Sequence, residues 1–318
     1  MIFFLNYINI NHSNHIHSKM TTAIETYLNS LSEDILTVDI SCKSLTSLPD
    51  LTRFKNLTKL DCSNNKLTSL PTLPQKLKIL YCNKNKLTSL PRLPQNLEKL
   101  YCYDNQLTSL PTLPPNLKIL YCNYNNLTSL PTLPQNLEVL YCDENQLTSL
   151  PTLPQNLEIL NCIDNKLTSL PTLPQNIKLL RCSHNQLTSL PTLPQNLEKL
   201  YCSNNQLTYL PILPQNLKEL RCSDNQLPLL PILPQNLKEF YCNNNPISEI
   251  VNNSSLIKIK QNIQTLNNFR HLYNSLKLRN WLWEKVLKSK IEQKYHPNYL
   301  IENLGDEDDL DIVLNNWK

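Results

Sequence analysis

The chain has 318 residues, a formal charge of +4 and a pI of about 8.4. So mild a basic excess does not mark a nucleic-acid or membrane-surface protein, and no stretch reaches the roughly 20 apolar residues that a membrane span needs. Met1–Ile10 is partly apolar, but it contains Asn6, Tyr7 and Asn9 and lacks a basic start and a small-residue cleavage site, so it does not read as a secretory signal. Residues 1–20 are expected to be a disordered tail or an over-extended start, because more protein-like sequence opens at Met20. His12, His15 and His17 belong to that polar tail and are not read as a metal site. Next, Ile24, Tyr27, Leu28 and Leu31 have helical spacing, which predicts a helix near residues 22–33 within an N-terminal cap of residues 21–35.

Residues 36–250 carry a strict internal period. Cys62, Cys82, Cys102, Cys122, Cys142, Cys162, Cys182, Cys202, Cys222 and Cys242 lie twenty residues apart, and an Asn follows each three residues later. Self-similarity at that period means stacked coils, each unable to bury its apolar side alone. In one coil, Leu77, Leu80, Cys82, Asn85 and Leu87 match L-x-x-L-x-L-x-x-N-x-L, the pattern of leucine-rich repeats. Leu80 and Cys82, two apart in a strand, point to the core, whereas Ile79, Tyr81 and Asn83 point away from it. Asn85 sits at the inward turn, where its amide can pair with backbone groups of adjacent coils. The return segment reads L-P-x-L-P, which excludes regular helix and predicts an extended path. The only glycine is Gly305, so the coil turns must be made without glycine.

The first coil departs from the period. Val38, Ile40, Lys43 and Leu45 align with Leu60, Cys62, Asn65 and Leu67 at an offset of 22, so Ile40 takes the ladder position and Cys42 is out of register. The extra residues are assigned to the Thr52–Asn56 stretch. About eleven strands result, a stack on the order of 50 Å long at ~4.8 Å per strand. The fold expected is a β-dominated solenoid of 20-residue repeats, with parallel strands on the concave face, an extended convex side and a small helical C-terminal region. Ten of the 11 cysteines fall in inward slots and none forms a C-x-x-C pair. They are therefore read as free buried thiols in a reducing, cytoplasmic compartment, with no metal or cofactor.

Recognition in such arrays usually uses the concave strand face. The column after the inward Leu reads Asp61, Tyr81, Tyr101, Tyr121, Tyr141, Asn161, Arg181, Tyr201, Arg221 and Tyr241, with Tyr103 and Tyr124 widening it. Tyr and Arg are typical hot-spot residues, so these tyrosines with Arg181 and Arg221 are the candidate partner-binding residues. Stacking of the tyrosines as a purely structural ladder is an equally weighted and compatible reading. Beside the column, Lys78, Glu98, Lys118, Glu138, Glu158, Lys178, Glu198, Lys218 and Lys238 alternate in sign, which makes no continuous groove for nucleic acid.

After Asn245 the repeat decays, and residues 251–318 are expected to form a helical cap or module. Leu278, Trp281, Leu282, Lys285, Val286 and Lys288 fit an amphipathic helix, and Asp306 is a good N-cap for a last helix with Leu310, Val313, Leu314 and Trp317. Trp281, Trp283 and Trp317 are candidate docking anchors.

The unit L-T-S-L-P-T-L-P-Q-N-L-E-x-L-Y-C-x-x-N-Q resembles the short leucine-rich repeats of enteric and plague bacterial effectors. The C-terminal run around Trp281-Leu-Trp283 and Lys294-Tyr-His-Pro-Asn-Tyr resembles a tail of repeat proteins from giant amoebal viruses of the mimivirus group. These resemblances imply an intracellular protein-recognition role, in the host cytoplasm for a viral protein. Some such effectors carry a ubiquitin-ligase domain with a C-x-D cysteine, but no cysteine follows Cys242 here. Cys102-Tyr-Asp104, Cys162-Ile-Asp164 and Cys222-Ser-Asp224 spell C-x-D only through the repeat. No catalytic residues are assigned. The function expected is a monomeric, non-catalytic module binding a protein partner. The alternative is an adapter that recruits an enzyme such as a ubiquitin ligase through the C-terminal tail.

Overall fold

The computed structural model describes residues 24–248, 255–282 and 284–285. The chain divides into two units, Met1–Lys260 and Gln261–Lys318. In the first, helix α1 (residues 24–30) precedes eleven three-residue strands. They are β1 (Thr37–Asp39), β2 (Lys59–Asp61), β3 (Ile79–Tyr81), β4 (Lys99–Tyr101), β5 (Ile119–Tyr121), β6 (Val139–Tyr141), β7 (Ile159–Asn161), β8 (Leu179–Arg181), β9 (Lys199–Tyr201), β10 (Glu219–Arg221) and β11 (Glu239–Tyr241). All eleven form one sheet in sequence order, every pair parallel. From β2 onward each residue pairs with the one twenty ahead, as Leu80 does with Leu100. The fold is the parallel-strand solenoid of 20-residue repeats that the periodicity predicts.

The core is a set of rungs. In the coil of β3, Leu77, Leu80, Cys82 and Leu87 are fully buried, and Leu90 and Leu93 close the return side. Inter-coil bonding continues past the strand: the Cys82 N–H donates to the Tyr101 carbonyl at 2.9 Å, and that of Lys84 to the Tyr103 carbonyl at 3.0 Å. Asn85 does what its position predicts. Its Nδ2 donates to the carbonyls of Cys62 and Cys82 at 3.1 Å, while its Oδ1 accepts the Leu67 N–H at 3.0 Å. One amide thus satisfies backbone groups on two coils at a bend where the strand ladder has ended.

The turns form without glycine, at a conformational cost. The second residue after each ladder cysteine adopts a left-handed backbone, with φ between 50° and 56° from Asn64 through Lys84, Tyr124 and Glu144 to Asn244. That region costs a side chain with a Cβ about 1 kcal/mol. It persists here because both flanking residues are fixed by rungs.

The first coil follows the offset of 22: Val38 pairs with Leu60, and Ile40 is fully buried. Cys42 is exposed in a left-handed turn, where its Sγ accepts the Asn64 amide at 3.0 Å. Leu51 and Phe54 fill the interior of the longer return.

The N-terminal helix is shorter than predicted, ending at residue 30 and not near 33. The Ser30 hydroxyl donates to the Tyr27 carbonyl at 2.7 Å, competing with continuation of the helix, and Arg53 donates to the Leu28 carbonyl. Ile24 and Leu28 are buried, but Tyr27 is exposed. Residues 1–23 lie outside the described residues.

Helix α2 (Leu256–Leu282) is the C-terminal helical region. Before the boundary at Lys260, Ser255 caps its start, and the Lys260 ammonium donates to the Gln235 and Leu237 carbonyls at 2.9 and 3.0 Å. Further along, Leu278, Trp281 and Leu282, predicted to form an apolar face, are exposed. Trp283, Trp317 and the helix predicted from Asp306 fall outside the described residues. Among the described residues no helix is long and apolar enough to cross a membrane.

Candidate interaction surface

Because side chains alternate along a strand, each coil presents outward the residue before its ladder Leu, the one after it, and the one after the ladder Cys. The middle position carries the predicted candidates, and strand spacing brings side chains there within reach of their neighbours on the next coil. Tyr81 and Tyr101 lie 4.5 Å apart between centroids, 5° from parallel. Tyr101 and Tyr121 meet edge to face at 5.1 Å, and Tyr121 and Tyr141 tilt at 4.5 Å. Burial raises the phenol pKa of Tyr101 and Tyr121 above its ordinary value. Tyr103 is half-buried in the neighbouring outward column. Tyr124 stands apart from it, exposed in a left-handed turn.

The row then changes character. Asn161 is buried and donates to Asp143 at 2.9 Å. Beyond it, Arg181 and Arg221 sit 5.2 and 4.8 Å from the Tyr201 ring centroid, and Arg221 is also 5.1 Å from that of Tyr241. Such cation–π contacts draw the guanidinium groups towards the rings. Below them lies the buried carboxylate of Glu219. Burial alone would raise its pKa, but hydrogen bonds from Tyr201, Arg221 and Lys199 outweigh that and hold it below the usual range. Arg221 reaches it at 2.6 Å and Lys199 at 3.3 Å. The candidates therefore form two clusters, a neutral aromatic one on β3–β6 and a cationic-aromatic one on β8–β11. In the mixed-charge column, Lys78–Glu98, Lys178–Glu158 and Lys218–Glu198 form exposed ion pairs at 3.1, 2.8 and 2.7 Å.

Two features escaped the sequence reading. Ile119, Val139, Ile159 and Leu179 form a half-exposed aliphatic run beside the tyrosines, and Lys99 separates Ile79 from it. Its signal was available in the residue preceding each ladder Leu. The second is a buried polar cluster on the same face, where Asn123 Oδ1 and Arg181 Nε lack hydrogen-bond partners and flank the Asp143–Asn161 pair. Burial is the main cause that pushes the Asp143 carboxyl up to about 6.

The ladder cysteines show no sign of reactive chemistry. All ten are buried and free, and burial pushes the Cys62, Cys102 and Cys162 thiols up to about 12. Cys62 and Cys162 donate weakly to the next coil's carbonyl, each at 3.3 Å. A thiol so far from ionisation is a poor nucleophile, which disposes of the chance C-x-D triplets at Cys102 and Cys162. Among the described residues no cluster of three or more ligand-type side chains could hold a metal ion.

A family model of leucine-rich repeats in two copies matches residues 55–95, 95–135 and 115–155. YopM from Yersinia enterocolitica WA-314 is similar at 42% identity and a TM-score of 0.67, over 68% of this chain and 48% of that one. The chain thus spans about half the length of that relative. The functional domain of InlJ from Listeria monocytogenes, described as including a cysteine ladder, aligns at 28% identity and a TM-score of 0.57, covering 66% of this chain and 54% of that one. A leucine-rich repeat protein of Leptospira interrogans aligns at 26% identity and a TM-score of 0.52, covering 67% and 73%. No curated protein sequence matches the chain.

Proposed function

Since the chain is a leucine-rich repeat protein with bacterial effector-like structural neighbours, we propose that it is a non-catalytic module that binds a protein partner across the outward face of its sheet. The observation that carries this reading is the row from Tyr81 to Tyr141, four rings in mutual contact on adjacent strands. Prestacked tyrosines offer large amphipathic area with little rotamer entropy left to lose on binding. The aliphatic run beside them and the Arg181–Tyr201–Arg221–Tyr241 cluster beyond extend the face to a partner with apolar and acidic contacts. Tyr103 and Tyr124 contribute at its margin. Nucleic acid is disfavoured because Glu219 and Glu239 break up the cations of β8–β11. The setting we propose is the cytoplasm of an infected host, a reading that rests on the likeness of the C-terminal sequence to giant-virus repeat proteins.

The test compares capture of proteins from amoebal cytosol by the wild type and by a Tyr81/Tyr101/Tyr121/Tyr141→Ala variant that keeps its circular dichroism spectrum. Loss of a specific partner from the variant is expected. An unchanged partner set makes the tyrosines a structural ladder and removes this reading. A second reading, an adapter that recruits an enzyme such as a ubiquitin ligase through the C-terminal region, draws on the exposed Leu278 and Trp281 of α2. It requires ligase subunits to co-purify with the full chain and to disappear on deleting residues 256–318.

A further inference from the structure

Arg181 and Arg221 hold the same place on strands two coils apart, β8 and β10, and each lies against the Tyr201 ring. The molecule treats them differently. Arg221 has an acid two residues before it and another on the next coil. Its Nε donates to Glu219 at 2.8 Å, and a terminal nitrogen lies 2.6 Å from Glu219 and 3.8 Å from Glu239. The matching positions beside Arg181 are Leu179 and Lys199. None of the ion pairs among the described residues includes Arg181. Its Nε is shut off from solvent without a hydrogen-bond partner, while the two nitrogens at the tip remain open.

The surroundings explain why no carboxylate reaches Arg181 from within. Leu179 and Ser183 share its coil, and Asn161 and Tyr201 flank it on the neighbouring coils. Lys199, at one corner, is itself a cation and lies 3.3 Å from Glu219. Asp143, two coils away, feels the Arg181 charge, but its carboxylate accepts the Asn161 amide at 2.9 Å instead. A guanidinium with one donor buried and no counter-ion has lost hydration there without a compensating bond. The acceptor that fits its planar fork is a carboxylate, which takes two parallel charge-assisted hydrogen bonds.

We propose that Arg181 anchors a carboxylate from an acidic side chain of the protein partner, and that Arg221 is a structural cation already matched by Glu219. This rests on the outward sheet face being the binding face, and it names one residue and one chemical group within that face. An aspartate or glutamate of the partner accepts from the two tip nitrogens of Arg181, with Leu179 beside it to receive an apolar neighbour. The Tyr201 ring, 5.2 Å from the guanidinium, draws it to one side before the partner arrives. Less side-chain freedom is then lost on binding.

Nuclear magnetic resonance of the full chain tests the proposal one arginine at a time. The chain has six arginines, so their Nε–H signals are few enough to assign, that of Arg181 by its loss in Arg181→Gln. The probe is acetyl-Leu-Glu-Leu-amide, with acetyl-Leu-Gln-Leu-amide as its neutral match. Titration with the acidic peptide is expected to shift the Arg181 signal along a saturating curve, roughly fivefold further than that of Arg221 or of the exposed Arg92. The neutral peptide should leave it in place. A shift that does not saturate, or one equal at Arg181 and Arg221, overturns the proposal. A second arm separates it from the reading it rests on. A protein captured from amoebal cytosol by the wild type and lost from the Tyr81/Tyr101/Tyr121/Tyr141→Ala variant should bind Arg181→Gln roughly tenfold more weakly. Lys118→Gln, which removes the same charge from the same face, should stay within about twofold of wild type. Equal weakening in the two variants overturns the proposal. A partner that Arg181→Gln holds as well as wild type keeps the tyrosine face and also overturns the carboxylate anchor.

Discussion

Leu80 and Tyr81 are neighbours in the chain, yet they live under different rules. The inward column keeps Leu from β2 to β10 and changes only to Phe240 at β11. The outward column one residue later runs from acid through four tyrosines and an amide to alternating arginine and tyrosine. Inward, each rung meets the same rung on both sides, so one side chain fits every coil and any change costs packing. Outward, neighbours touch edge to edge beside solvent, and the residue at each step is free to differ. Uniformity marks the side that holds the molecule together, and variation marks the side that gives each coil its identity.

The sharpest way to break this comparison is to remove an interior rung and an exterior one from the same coil. Asn125→Ala is expected to be the most damaging single change. It deletes bonds to the Cys102 and Cys122 carbonyls, both at 3.1 Å, and to the Leu107 N–H at 2.9 Å, leaving buried backbone groups unpaired. A loss of about 3 kcal/mol or more in denaturant unfolding is expected. An effect below that of Tyr121→Ala would show that the rungs are not what holds the coils.

Asp143 sharpens the comparison because it is an outward residue with interior-like burial. Its carboxyl pKa of about 6 lies above that of an unfolded aspartate. The folded state therefore binds the proton more tightly, and this group's contribution to stability rises as pH falls from 7 through 6 towards 4. Asp143→Asn keeps an acceptor for the Asn161 amide and removes the charge that burial penalises. The variant is expected to melt higher than wild type at pH 7, with a flatter dependence of Tm on pH. A wild-type melting temperature that does not respond to the substitution at any pH would contradict the buried carboxylate.

Tyr121→Ala should cost less, about 1–2 kcal/mol, because it removes two ring contacts but leaves the core intact. Smallest of all, Glu144→Gly should raise stability by about 0.5–1 kcal/mol. Its backbone φ of 51° penalises any side chain with a Cβ, and glycine removes that penalty at a turn already pinned on both sides. A stability loss there would mean that the left-handed turn is not strained.

These differences also explain what was legible in the sequence. The ladder was readable because a repeating inward slot admits few residues, so Cys62 to Cys242 and Asn65 to Asn245 announce their own register, and even Cys42 betrays its misplacement. The tyrosine row could be placed but not described: whether Tyr101 meets Tyr121 face on or edge on depends on rotamers that alternation does not specify. Asn161 read as a gap in a row of rings, and its bond to Asp143 spans two columns that the period treats separately. The predicted extension of α1 to residue 33 gives way to local bonds of the Ser30 and Ser32 hydroxyls, which a helical apolar pattern does not register. Tyr209 and Ile232 were visible as departures from the repeat, but only their exposure distinguishes them from further core.

The shared register of β2–β11 has a hereditary consequence. Loss of residues 126–145 joins Asn125 to Gln146 with every inward rung still facing its own kind, and Tyr121 then adjoins Asn161. Gain or loss of one coil's worth of coding sequence thus rewrites the order of outward side chains while the interior is unchanged. Such a gene can vary the outward face of its sheet by copy number as readily as by point substitution.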